Sequence, residues 1–86
     1  MPIDKKYGRV ILENQRNVGD NEPVVVFRGK DSVLLPLLAH YRKLCKLAGS
    51  PDNHLAAIDD TAAGIEAWQQ QNGCQIPRSA GYDPRV

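Results

Sequence analysis

Two segments in the second half of the chain repeat apolar residues at the spacing of an α-helix. The first spans residues 34–48, and its apolar positions are Leu34, Leu37, Leu38, Tyr41, Cys45 and Ala48, with Leu44 and Leu47 widening the stripe. Asp31 and Ser32 are both good caps for its start. Because proline is tolerated only at the start of a helix, we expect a tight turn over residues 31–35 and regular helix from about Pro36. Gly49 predicts its end.

The second helix is predicted to begin at Ser50 and Pro51, an N-cap serine followed by proline at the first helical position. Its apolar residues recur at helical spacing up to Trp68 or Gln69, and Gly73 predicts its C-terminus. The short connection to the first helix predicts an antiparallel pair. Gly64 lies in the middle of the second helix, where glycine is costly, and this predicts close approach of another backbone.

The first half of the chain carries strand signals. Residues 7–13 and residues 23–27 are rich in β-branched and aromatic side chains, and the loop between them is rich in Asn, Gly and Asp. They predict a β-hairpin with a wide loop, whose apolar face the two helices cover. We therefore predict a single α+β domain over residues 1–86, in the order β-β-α-α. Residues 1–6 are expected to be frayed, and residues 74–86 to form an extended tail.

Composition and charge narrow the function classes. The chain has 86 residues, 42% of them hydrophobic, and a net charge of +1. That charge disfavours nucleic acid as a partner, and no apolar run is long enough to span a membrane. With no signal peptide, we expect cytoplasmic residence. Residues 1–46 carry nine basic and five acidic side chains, against two and five in residues 47–86. This asymmetry fits either a surface that steers a partner or two solvated helices.

The chain lacks the residue patterns of common catalytic and metal sites. Cys45 and Cys74 stand alone and form neither a disulfide framework nor a zinc pattern, so we expect free thiols. His40 and His54 lack further ligands at close spacing. The catalytic and dinucleotide-binding motifs are absent. We expect no enzyme activity, no metal and no cofactor.

Two groups of residues are the best binding sites that the sequence offers. Arg28, Lys30 and Ser32 lie at a predicted helix N-terminus, where a phosphate or other small anion could dock, although a cap at Asp31 or Ser32 explains the same residues. A second group fits a macromolecular partner and comprises Arg42, Lys43, Lys46, Trp68 and Tyr82. A solvated basic face and a core tryptophan are the simpler readings of that group.

The order of residues 22–31 (EPVVVFRGKD), then Tyr41-Arg42, Ala48-Gly49 and Glu66-Ala67-Trp68, resembles short uncharacterised proteins of tailed phages and prophages of proteobacteria. The likeness covers about residues 8–77. It implies a phage setting, in which small accessory proteins often inhibit a host defence by occupying a defence protein or sequestering its nucleotide messenger. No residue role follows from it.

Three functions are therefore expected in turn. The first is a non-enzymatic accessory protein that binds a host macromolecule, with a protein favoured, and so inhibits a host defence. The alternative is a homo-oligomeric sponge for a phosphorylated nucleotide or another small anion, and a further alternative is a small virion structural or assembly protein. Self-association as a homodimer or a higher homo-oligomer fits all three.

Overall fold

The structure, a computed structural model, describes residues 3–11, 13, 18–19 and 21–77. The elements in chain order are β1 (Ile3–Asp4), β2 (Gly8–Arg9), β3 (Pro23–Val24), α1 (Leu34–Ala48) and α2 (Asp52–Asn72). Strands followed by a helical pair confirm the predicted α+β class. The described chain divides into two compact units. Unit 1 contains the described residues up to Phe27, and unit 2 is Arg28–Pro77.

Unit 1 is a small sheet of strand order β2-β1-β3. β1 pairs antiparallel with β2 in the register Ile3↔Arg9, and parallel with β3 in the register Ile3↔Pro23. The sheet differs from the predicted hairpin, because a strand from the residues expected to be frayed lies between the two predicted strands. Those strands are also shorter than predicted, since β1 offers them only two residues to pair with.

The buried carboxylate of Asp4 organises unit 1. Its Oδ1 accepts hydrogen bonds from the N–H groups of Lys6 at 2.8 Å and Tyr7 at 2.7 Å, which closes the turn from β1 to β2. Its Oδ2 accepts from the N–H of Val26 at 2.6 Å. These bonds, that from Tyr7 foremost, lower the pKa of Asp4 against the opposing effect of burial. One ionised side chain thus replaces the backbone partners that a longer β1 would supply.

Helix α1 begins at Leu34, two residues before the predicted start. Pro36 is the third helical residue, so its missing N–H is one of those without an intrahelical acceptor in any case. The first helical bond runs from the Leu37 N–H to the Val33 carbonyl at 3.0 Å. Gly49 ends the helix as predicted, with φ of 90°. Its N–H and that of Ser50 return to the last turn in a Schellman arrangement.

Helix α2 packs antiparallel on α1, as predicted, after a connection of three residues. Pro51 rather than Ser50 occupies the cap position. The hairpin core consists of Cys45 of α1 with Leu55 and Ile58 of α2. Gly64 is exposed, and a Cβ added there would meet nothing within 4 Å, so the predicted close approach of another backbone is absent from the described part of the chain. Neither described helix is long and apolar enough to cross a membrane.

Candidate functional site

The turn segment (residues 28–32) is held by two glutamines, which we call the glutamine clamp (Gln69 and Gln75). The Nε2 of Gln69, on α2, donates to the carbonyls of Gly29 at 2.8 Å and Asp31 at 3.1 Å. The backbone of Gln75 pairs with the same segment as an isolated parallel bridge to Asp31. Its N–H donates to the carbonyl of Lys30 at 2.7 Å, and its carbonyl accepts from Ser32 at 2.9 Å. The start of the predicted tail is therefore anchored.

The clamp and the start of α1 use four successive backbone N–H groups of this region. The donors are those of Asp31, Ser32, Val33 and Leu34. The carboxylate of Asp31 accepts the bond from Val33 at 2.7 Å, so a negative charge already sits where an anion would dock. An anion at Arg28, Lys30 and Ser32 would have to compete with that carboxylate. The geometry favours the capping interpretation of these residues over the anion-binding one.

Trp68 lies against the turn segment. A Cβ added at Gly29 would stand 3.7 Å from the Cε3 of the indole, an ordinary van der Waals distance. The side chain is still 45% exposed, so Trp68 is not a core residue. The structure therefore brings the predicted partner anchor and the predicted anion turn together within unit 2.

The predicted basic strip on α1 divides into residues of different kinds. Arg42 forms a two-pronged ion pair with Asp59 of α2, with Nε to Oδ1 at 2.7 Å and Nη2 to Oδ2 at 3.2 Å. It ties the helices together and is not available as a simple cationic contact. Lys43 and Lys46 are exposed. Tyr82, the remaining predicted partner residue, lies outside the described residues.

The helical hairpin has two sides of different chemistry. The Arg42–Asp59 pair marks one side. Tyr41, about 100° further round α1, instead meets His54 of α2 edge to face, with the ring centroids 6.2 Å apart. The two contacts thus lie on opposite sides of the seam between the helices.

The Tyr41–His54 side carries a continuous set of partly exposed apolar side chains, which we call the helical face. It comprises Leu37, Tyr41, Leu44, His54 and Trp68. On α1 its members follow at spacings of four and three, and on α2 Trp68 lies close to four full turns after His54. Tyr41 is 46% exposed and Leu44 is 49% exposed. The pattern search assigned the α1 residues to the core stripe, but α2 covers only part of that stripe.

Tyr41 is also linked to the core below the helical face. A side-chain hydrogen bond with Cys45, one turn along α1, raises the pKa of Tyr41, with burial adding to the effect. The phenol therefore stays neutral at physiological pH, which suits a residue in an apolar face. Among the described residues, no three His, Cys, Asp or Glu side chains come close enough to hold a metal ion.

Sequence reasoning missed the roles of Gln69 and Asp4. Gln69 follows Ala62 and Ile65 on the stripe that α2 turns toward its neighbours, and a polar residue at such a position signals a hydrogen bond to buried backbone. Asp4 has no comparable signal, because its partners come from both sides of a strand that no apolar run announces. Comparison with protein-family models, curated proteins and solved structures found no match to this chain.

Proposed function

We propose that this protein is a non-enzymatic binding protein that acts through a protein–protein interface on the helical face. The observation that carries the proposal is the run of partly exposed Leu37, Tyr41 and Leu44 beside the half-exposed Trp68. Apolar side chains gathered on one surface mark interaction sites more often than scattered ones do, and Trp and Tyr dominate binding energy at such sites.

The helical face is also well suited to present these side chains without rearrangement. The Arg42–Asp59 pair and the core around Cys45 fix α1 on α2, and the clamp fixes the turn segment beside Trp68. A surface that is already ordered loses little conformational entropy when a partner binds. The resemblance to phage proteins makes a bacterial host protein, such as a component of a defence system, our proposed partner.

The alternative functions have weaker support. Asp31 and the occupied N–H groups of the turn segment weigh against a sponge for a small anion. A virion component stays a proposal that rests on the phage resemblance alone.

The test compares two substitutions that each add one cation to exposed positions of α1. Leu44→Lys places a charge in the helical face, whereas Ala39→Lys places it about 140° away on the same helix. Immobilised wild-type and variant proteins are exposed to a proteobacterial lysate, retained proteins are identified by mass spectrometry, and binding is repeated with each one purified.

We expect a specific partner to bind the wild type and Ala39→Lys, and to bind Leu44→Lys at least about a hundredfold more weakly, since a buried unpaired charge costs several kcal/mol. A partner that binds both variants equally would place the interface elsewhere. Circular dichroism of both variants checks that the helices stay folded.

A further inference from the structure

The chain around β3 has an inner and an outer edge. The carbonyl of Glu22 accepts a hydrogen bond from β1 at 3.0 Å, and the N–H of Val26 donates to the carboxylate on β1 at 2.6 Å. Backbone groups of alternate residues along an extended chain point to the same side. Those of Val25 and Phe27 therefore point away from β1. We call residues 23–27, seen from this side, the β3 edge.

The β3 edge combines strong strand formers with exposed side chains. Val25 is 71% exposed and Phe27 is 51% exposed, whereas Val24 and Val26 are half-buried. This alternation is that of a strand with one solvent-facing side, yet Val25 and Phe27 lie outside the ladder of the sheet. An open edge of β-branched and aromatic residues is a template for another strand.

We propose that the β3 edge pairs with the same edge of a second copy of this chain, antiparallel and about a two-fold axis at Val26. In this register Val25 of each copy lies opposite Phe27 of the other. Both residues point their N–H and C=O groups outward, as an antiparallel hydrogen-bonded pair requires. Each valine also gains a phenylalanine as its cross-strand neighbour, a favourable pairing.

Charge complementarity selects a second copy as the occupant. The edge is preceded by the acidic Glu22 and followed by the basic Arg28, with no charge between them. Antiparallel pairing about Val26 sets Glu22 of one copy diagonally across from Arg28 of the other, within reach of long side chains. Parallel pairing would instead set like charges side by side. This proposal does not depend on the proposed function, because the helical face takes no part in it.

The first measurement is sedimentation equilibrium of the full chain across a wide range of concentration, together with amide hydrogen exchange. We expect a monomer–dimer equilibrium. The amides of Val25 and Phe27 should gain protection as the dimer forms, whereas that of Val26, bonded to Asp4 in every copy, should not change. A monomer at all concentrations would overturn the proposal, and so would a dimer that leaves the Val25 and Phe27 amides unprotected.

Variants then test the register. Val25→Pro removes only an outward N–H, a change that an edge strand tolerates, and should weaken the dimer about tenfold or more, since the loss occurs twice. Glu22→Arg and Arg28→Glu should each weaken it, whereas the double variant should restore it. A double variant weaker than either single one would refute the register. Leu44→Lys on the helical face should leave the dimer unchanged, and a dimer lost in that variant would assign it to the helical face instead.

Discussion

The Gln69 side chain lends itself to a sharp test, because its amide nitrogen donates to two backbone carbonyls at once. Gln69→Glu keeps the shape of the side chain and replaces those donors with a carboxylate oxygen. The carbonyls of Gly29 and Asp31 would then face a negative charge at the 2.8 and 3.1 Å now spanned by hydrogen bonds.

The size of the effect follows from these two bonds. Each contributes about 0.5 to 1.5 kcal/mol net, so losing both costs about 1 to 3 kcal/mol before any repulsion is added. Asp31 keeps a second donor, the Leu34 N–H at 3.1 Å, which places the larger share of the loss at Gly29. For a unit as small as Arg28–Pro77, we expect the midpoint of thermal unfolding to fall by about 10 °C.

The assay is thermal and urea unfolding followed by far-ultraviolet circular dichroism, which reports the helices and hence unit 2. Gln70→Glu is the matched control. It makes the same change one residue along α2 at an exposed position, so any effect of negative charge near the helix C-terminus is common to both. We expect the control to lie within about 0.5 kcal/mol of the wild type.

The pH dependence adds a second, independent sign. The two carbonyls should raise the pKa of the new carboxyl in Gln69→Glu, because only its protonated form can donate a hydrogen bond. The variant's stability relative to Gln70→Glu should therefore be highest below the unfolded pKa and fall as pH rises through the folded one. Equal unfolding midpoints for the two variants at neutral pH would refute the role of the clamp.

Two further predictions concern unit 1 and the surface of α2. Because the pKa of Asp4 is lowered, its contribution to stability is fully present above the ordinary value of 3.8 and is lost as pH falls through the folded value. Asp4→Asn should abolish protection of the Val26 and Tyr7 amides already at neutral pH, and intact protection would contradict the role of the carboxylate. Gly64→Ala should raise the free energy of unfolding by about 1 kcal/mol in urea titrations, since the site is helical and open. Gly49→Ala should lower it by about 1 kcal/mol because of the positive φ, and a destabilised Gly64→Ala would mean that another surface covers Gly64.

The helices could be predicted from sequence because their causes are local. Apolar spacing, the glycine after Ala48 and the short connection each act within a few residues, and the structure places α1 and α2 accordingly. The sheet could not, because β1 is two residues long and its pairing with β3 depends on residues about 20 positions apart. The strong signal at residues 23–27 was a correct reading of strand propensity. Propensity does not say how many residues the neighbouring strand provides.

The candidate site divides in the same way. The exposed half of the α1 stripe looks like core in the sequence, since periodicity identifies an apolar side of a helix but not the width of what packs on it. The basic strip looked like one surface, but Arg42 is committed to Asp59 by a partner on another helix. Trp68 was placed in the core, and only the approach of Gly29 shows that it lies at the margin of unit 2.

The glutamine clamp also bears on the kinetics of folding. The contacts within the α1–α2 hairpin join residues close in sequence, so they can form early at little cost in loop-closure entropy. The bridge from Asp31 to Gln75 closes a loop that spans almost the whole of unit 2, and it gains nothing until the helices are in place. Interactions made after the transition state change the unfolding rate rather than the folding rate. The clamp should therefore set how slowly unit 2 unfolds, and the helical hairpin how fast it folds.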